Sequence, residues 1–168
     1  HAGRARAHDR DLLAGALARG LWLDEAVSER ASDYQKYFQV SLAVADGQTE
    51  AARSVILAEA EIVIAAARAG IQVLSTAEIN SAKNLLIAAD CNAVPPAGIA
   101  PISVFDDGIP INGHEAGALG LGALAVGGVK FRTQHAMLHE LAFGGVARQF
   151  DFTDALEFAR RQVSAGNS

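Results

Sequence analysis

The segment around residues 85–99 constrains the fold of this chain most. The apolar run 85–88 predicts a buried strand, and the Pro95-Pro96 pair that follows excludes helix and keeps the exit loop stiff. Open α/β sheets bind their ligands in loops at the carboxyl ends of strands. Asp90 and Asn92 place a hydrogen-bond acceptor and an amide in this loop. The same residues also suit an ordinary Asx turn at a strand exit, so this segment alone leaves both interpretations open.

The rest of the chain alternates between strand and helix patterns, which predicts an α/β fold with several parallel strands. Apolar residues make up 51% of the chain and aromatic residues only 6%, as expected where helices pack closely on a parallel sheet. Residues 101–114 carry turn signals and are predicted to form a loop. The predicted strands are 39–44, 61–66 and 85–89, and the predicted helices are 28–38, 49–60, 133–143 and 152–163.

Composition also narrows the classes of partner and compartment. The net charge of −5 and the lack of a Lys/Arg cluster after residue 40 argue against a nucleic-acid partner. No apolar run reaches the ~18–20 residues of a membrane span, and the first residues lack the order of a secretory signal. Cys91 is the only cysteine, which excludes a disulfide framework and favours the cytoplasm. We expect Cys91 to be a small buried residue and not a nucleophile.

Three further groups of residues could carry chemistry. The glycine-rich segment 117–122 superficially resembles a G-x-G-x-x-G phosphate-binding motif, but that motif follows a strand and this segment follows a predicted loop. We therefore interpret its glycines as permitting close approach of a flat ligand or a neighbouring element. Lys130 follows two glycines and is flanked by apolar residues; its spacing alone favours a solvated surface lysine. His135 and His139 have the spacing of helical metal ligands, but the H-E-x-x-H motif is absent and we expect no metal site.

Three runs, in this order and spacing, resemble the NAD(P)-dependent methylene-tetrahydromethanopterin dehydrogenases. They are residues 62–70, the D-x-N-A-x-P-P-x-G-I pattern within 89–99, and the segment 117–130 that ends in G-G-x-K. The resemblance covers roughly residues 32–165. It implies a Rossmann-like parallel sheet with flanking helices, which binds NADP or NAD, and a hydride transfer from a tetrahydromethanopterin-type pterin to the coenzyme in one-carbon metabolism.

The resemblance also implies roles for individual residues. Ala66 and Ala67 would line the coenzyme, Asp90 and Asn92 would lie near the nicotinamide, and Lys130 would be the active-site lysine that faces the pterin. The wall beside the nicotinamide would be shaped by Pro95, Pro96 and Gly98.

One part of the chain departs from the family pattern. The family's Gly-x-Gly-Pro-Val-Gly turn, which cradles the coenzyme pyrophosphate, has no match in residues 1–31. We therefore expect residues 1–31 to be an atypical segment and residues 32–168 to be a portion of a coenzyme domain that is incomplete at its N-terminus. The chain begins at His1 and not at Met, and we expect it to start inside a longer reading frame or to have been trimmed. Without the turn, coenzyme affinity of the isolated chain should fall by orders of magnitude.

Two other functions stay open at this stage. A related dehydrogenase acting on methylene-tetrahydrofolate would share the reaction and differ in the pterin. A non-catalytic binding or assembly module would keep the sheet and use the glycine-rich segment to pack on another subunit. We also expect a homo-oligomer, because sheets with open edges often associate.

Overall fold

A computed structural model describes residues 14–18, 25–38, 41–145 and 147–165 of the chain. Most of the atypical opening segment lies outside these ranges, so the predicted boundary after residue 31 stays a prediction. In the described part, no helix is long and apolar enough to cross a membrane. The elements in chain order are β1 Ala14–Ala18, α1 Glu25–Phe38, β2 Leu42–Asp46, α2 Glu50–Glu59, β3 Ile62–Ala65, α3 Thr76–Ser81, β4 Ile87–Asp90, β5 Asp107–Pro110, β6 Leu119–Leu121, α4 Ala123–Phe143 and α5 Phe152–Ala165.

The strands form two sheets. Strands β1 and β2 pair in parallel, and a four-stranded sheet has the order β3-β4-β6-β5. Strands β3, β4 and β6 are parallel, whereas β5 runs antiparallel to β6 at the edge. The predicted α/β fold with a Rossmann-like, mostly parallel sheet and flanking helices is confirmed. The prediction of a loop over 101–114 is wrong at β5, because Ile109 and Pro110 pair with β6 although Asp, Gly and Pro signal a turn.

One face of the four-stranded sheet forms the core. In parallel strands, residues opposite one another point to the same face, and Val63, Ala88 and Gly120 share a row of this face. Ala88 is fully buried and Val63 packs against the cluster. The buried cluster consists of Leu57, Ala65, Leu74, Ile79, Ala82, Leu85, Ala88, Ile99, Ile102, Ile111 and Ala118. Its members span residues 57–118, so this part of the chain is the structural unit that positions the candidate site.

The glycine-rich region differs from its prediction in two ways. Leu119–Leu121 is a strand and Gly122 is a one-residue turn into α4, so the segment does follow the strand-to-helix order. Helix α4 begins at Ala123 and not near residue 133, and it includes the two glycines before Lys130. Gly127 and Gly128 have low intrinsic helix propensity, and packing of α4 on α5 overrides it.

A buried ion pair joins α2, α3 and the turn after β2. Arg53 Nε lies 2.6 Å from Glu78 Oε1, and Arg53 Nη1 also donates to the carbonyl of Gly47. Glu78 Oε2 accepts hydrogen bonds from the backbone and the hydroxyl of Ser75, which caps α3. This network anchors α3, which lies between β3 and β4 in the chain, to α2 and to the turn after β2.

Candidate active site

The carboxyl ends of β3, β4 and β6 meet at one edge of the sheet. Ala65 pairs with Asp90, and Ala89 pairs with Leu121, so the three strands end at nearly the same level. The segments that follow begin at Ala66, Cys91 and Gly122. We call this set of strand ends the carboxyl edge, and ligands of open α/β sheets bind at such an edge.

The carboxylate of Asp90 holds the loop that leaves β4. Asp90 is only 2% exposed. Its Oδ1 accepts from the backbone N–H of Asn92 at 2.9 Å, and its Oδ2 accepts from the N–H of Ile99 at 3.0 Å. One side chain therefore ties both ends of the loop to the end of β4, and charge-assisted bonds of this kind are the stronger ones in proteins.

The amide of Asn92 fixes the middle of the same loop. Asn92 is buried, its Nδ2 donates to the carbonyl of Pro96, and its Oδ1 accepts from the N–H of Val94, both at 3.0 Å. The peptide bond between Pro95 and Pro96 is cis. The polar atoms of Asp90 and Asn92 are thus turned into the loop, so these residues position the loop and leave its other side chains to form its surface.

The exposed surface of the loop is apolar. Ala93, Pro95 and Pro96 are exposed, and Val94 is 51% exposed. The prediction that Cys91 is buried is wrong: it is exposed, because alternation along the strand exit turns Asp90 and Asn92 inward and Cys91 outward. A rigid apolar surface with satisfied polar groups beneath it suits contact with a flat aromatic ring.

Gly98 permits this arrangement. A Cβ atom at Gly98 would lie 2.7 Å from Asp90 Oδ1, so no side chain fits there while the carboxylate keeps its two bonds. The carbonyl of Gly98 accepts from the N–H groups of Val73 and Leu74, and Leu74 forms a parallel bridge with Ile99. The segment after β3 and the loop after β4 are therefore joined into one platform.

Ala66 and Ala67 form the opening of that platform after β3. Ala66 is exposed and Ala67 is half-buried. With only a methyl group each, they leave the backbone at the end of β3 accessible to a ligand. The structure thus brings together six of the predicted site residues, Ala66, Asp90, Asn92, Pro95, Pro96 and Gly98, with Ala67 next to them.

The carboxyl end of β6 is covered by the turn at residues 103–104. A Cβ at Gly122 would lie 2.1 Å from the carbonyl oxygen of Ser103, so the backbone of the 103–104 turn packs directly on this glycine. Leu124 N donates to the carbonyl of Val104, and Gly122 N donates to that of Asp106. The start of α4 is therefore satisfied by protein groups, as expected if the glycines allow close approach of a neighbouring element.

Lys130 stands apart from the platform. It lies in α4, seven residues after Ala123, which places its backbone about 10 Å along the helix from the carboxyl edge. Its side chain is exposed and forms no hydrogen bond or ion pair with any residue in the described part of the chain. Gly127 lies one turn before it, and a Cβ there would meet open space. Lys130 and Gly127 thus form an open surface with an amine beside bare backbone.

The three histidines in the described ranges each contact other groups of the chain. His114 is buried between the carbonyl of Ala82, 3.0 Å from Nε2, and the N–H of Ala118, which donates to Nδ1. His135 and His139 lie beside the rings of Phe131 and Phe143. No group of three or more His, Cys, Asp or Glu side chains in the described ranges could hold a metal ion.

Comparison with characterised proteins gives two relatives, both from Methylorubrum extorquens. An NAD(P)-dependent methylenetetrahydromethanopterin dehydrogenase is 36% identical over 136 residues, which cover 81% of this chain and 45% of the relative. This chain is a relative of the NAD(P)-dependent methylenetetrahydromethanopterin dehydrogenases. The bifunctional protein MdtA is 31% identical over 144 residues, 86% of this chain and 48% of MdtA. No protein-family model matches.

The resemblance predicted from the sequence is therefore confirmed, and so is its restriction to a portion of the family. The chain spans about half the length of the two relatives it matches. Any stretch of 136 residues in this chain of 168 includes residues 33–136, so the platform at the carboxyl edge lies within the portion that matches the dehydrogenase.

Proposed function

We propose that this chain is the coenzyme-binding portion of a dehydrogenase that transfers a hydride from a methylene-tetrahydromethanopterin-type pterin to NADP or NAD. The observation that carries the proposal is the loop after β4 in this platform, whose polar side chains Asp90 and Asn92 are buried and whose exposed side chains are apolar. The name of the 36% identical relative supports the choice of reaction. The single, unpaired Cys91 agrees with a cytoplasmic setting, which we also propose.

The residues of the platform fit a nicotinamide ring. The small side chains of Ala66 and Ala67 leave room for the ring after β3, and Pro95 and Pro96 provide a stiff apolar wall beside it. Asp90 and Asn92 act as positioning residues, because their polar atoms hold the loop and do not face outward. Bound there, NADP or NAD would supply the carbon atom that accepts the hydride.

Lys130 would face the pterin. In this proposal its free ammonium group donates hydrogen bonds to polar atoms of the pterin, and the bare helix backbone at Gly127 allows the ring system to approach. Hydride transfer requires two carbon atoms to be held in register and water to be excluded, so positioning by the protein is the main contribution.

Protection of Cys91 from a thiol reagent tests coenzyme binding. Cys91 is the only cysteine, it is exposed, and it lies on the platform. We expect one thiol to react in the folded chain, and we expect millimolar NADP or NAD to slow the reaction. Adenosine at the same concentration serves as the control, because it lacks the nicotinamide. An unchanged labelling rate in a folded chain would contradict the proposed site.

A turnover assay in a full-length protein that contains this portion tests the role of Lys130. Reduced coenzyme is followed by its near-ultraviolet absorbance after addition of methylene-tetrahydromethanopterin, at millimolar coenzyme. We expect Lys130→Ala to lower turnover by about 10²-fold, the loss typical when one group facing the reacting centre is removed. Lys83→Ala is the matched control, since Lys83 lies before β4 at the opposite end of the sheet. Equal turnover in the Lys130→Ala and Lys83→Ala variants would show that Lys130 takes no part in the reaction.

A further inference from the structure

One arginine lies on the otherwise uncharged platform. The platform consists of the segments 66–74 and 91–99, and Arg68 is the only charged residue in either segment. Its side chain is exposed, and the ion pairs in the described part of the chain join other residues. Arginine is always charged in proteins, so an exposed arginine among uncharged groups attracts an anionic ligand.

A tight turn places Arg68 beside the loop after β4. The N–H of Ile71 donates to the carbonyl of Arg68 at 3.2 Å, and Gly70 within this turn has a φ of +75°. A Cβ atom at Gly70 would lie 3.6 Å from the carbonyl oxygen of Pro95, so the turn is in van der Waals contact with the loop. Arg68 also follows Ala66 by two residues. It therefore lies at the border of the surface proposed above for the nicotinamide ring.

The buried carboxylate of the platform has hydrogen-bond partners other than Arg68. Asp90 Oδ1 accepts from the N–H of Asn92, Oδ2 accepts from that of Ile99, and the residue is only 2% exposed. Asp90 forms no ion pair with a residue in the described ranges. The guanidinium of Arg68 can therefore bind an external anion without breaking the bonds that hold the loop.

The chemistry of the coenzyme decides which anion fits this position. A guanidinium binds phosphate groups through two parallel hydrogen bonds, and it does so better than an amine. In NADP and NAD, one ribose separates the nicotinamide ring from the diphosphate. The 2′-phosphate of NADP lies beyond the diphosphate, on the ribose at the adenine end. A long side chain that starts two residues after Ala66 is thus placed for the diphosphate.

We propose that Arg68 binds the diphosphate of NADP or NAD, while Ala66, Ala67 and the prolines contact the nicotinamide. The inference rests on the proposed function and adds to it a residue that holds the coenzyme by charge. Because both coenzymes carry the diphosphate, Arg68 contributes to affinity and does not select between NADP and NAD.

Calorimetric titration of a full-length protein that contains this portion tests the proposal, with NADP and NAD as the probes. We expect Arg68→Ala to raise the Kd for each coenzyme by about tenfold, the lower end of the effect of a hydrogen bond to a charged group. Arg68→Lys keeps the charge and loses the paired hydrogen bonds, so its Kd should lie between those of wild type and Arg68→Ala. Added salt should weaken binding by the wild type more than binding by Arg68→Ala.

Arg160→Ala is the matched control, since Arg160 is exposed on α5 and its loss changes the net charge equally. Circular dichroism establishes that each variant is folded. A wild type that binds neither coenzyme would contradict the proposed function, and this inference with it. A wild type that binds both, with Arg68→Ala binding them as tightly, would overturn the role of Arg68 alone. So would a loss for NADP only, which indicates the 2′-phosphate, or an equal loss in Arg160→Ala, which indicates a general effect of charge.

Discussion

At the scale of single residues, the loop after β4 reverses the usual arrangement of a surface loop. Asp90 and Asn92, the polar side chains, are buried and bonded to the backbone, while Cys91 and Val94 are exposed. A buried carboxylate is tolerated only when its oxygens receive hydrogen bonds, and here each oxygen receives one from a backbone N–H. The sequence predicted which residues meet in this loop, but it could not show which of them face the solvent.

Gly98→Ala should destabilise this loop. The added Cβ would lie 2.7 Å from Asp90 Oδ1, so the carboxylate must move and lose part of its bonding to Ile99. We expect the free energy of unfolding to fall by about 1–3 kcal/mol, the usual cost of overpacking. Urea denaturation measures this change. Ala97→Gly, at the neighbouring position, is the control. Gly108→Ala would not serve, because Gly108 has a positive φ and the substitution would add backbone strain.

The pH dependence of stability should include a contribution from Glu78. Burial by itself would raise the pKa of Glu78, but the hydrogen bonds from Ser75 and Arg53 together hold this pKa below its ordinary value. The pKa is thus lower in the folded chain than in the unfolded chain. The contribution to stability is therefore present above the ordinary pKa of a glutamic acid and is lost as the pH falls through the lowered value.

Glu78→Gln tests this contribution. The substitution leaves Arg53 buried without its carboxylate, and loss of one partner of a buried pair costs about 3–5 kcal/mol. The variant should also show a shallower loss of stability in acid than the wild type, as measured by thermal melts between pH 3 and pH 7, the range over which carboxylates titrate. Asp154→Asn is the matched control, because it removes the partly exposed pair with Arg148. Parallel pH curves for wild type and Glu78→Gln would exclude the linkage.

At the scale of elements, the helices and strands with strong periodicity were predicted and the glycine-rich ones were not. The predicted helices 49–60 and 152–163 match α2 and α5, and Asp151 Oδ1 accepts hydrogen bonds from the N–H groups of Thr153 and Asp154 at the start of α5. Strand β6 contains a glycine and has only three residues, so its pairing with β4 and β5 defines it and no local pattern does. Helix α4 begins ten residues before its predicted start for the same reason: long-range packing outweighs local propensity.

Substitution of Gly127 tests whether this part of α4 contacts the pterin. Glycine inside a helix costs about 0.5–1 kcal/mol relative to alanine, and a Cβ at Gly127 meets open space. Gly127→Ala should therefore raise the free energy of unfolding by that amount. If the bare backbone beside Lys130 admits the pterin, the same variant should raise the KM for the pterin in the turnover assay. A more stable variant with unchanged KM would show that Gly127 does not face the substrate.

At the scale of the whole molecule, stability should be concentrated in the four-stranded sheet. The core cluster spans residues 57–118, and strand β2 contributes no buried residue to it. The sequence predicted β2 as a strand of the same parallel series, because its apolar run resembles the others. The long-range pairing that separates β1 and β2 from the larger sheet has no local sequence signature.

Hydrogen exchange should reveal this division. Strand β4 lies between β3 and β6 and is almost wholly buried, whereas β2 is paired with β1 and its side chains are half-buried or exposed. Amides in central strands exchange only through global unfolding, and those in less buried elements exchange through local opening. We expect the amides of β4 to exchange at least about tenfold more slowly than those of β2, a difference of 1.4 kcal/mol in opening free energy. Equal protection of both strands would mean that the two sheets unfold as one cooperative unit, and the core would then extend beyond the four-stranded sheet.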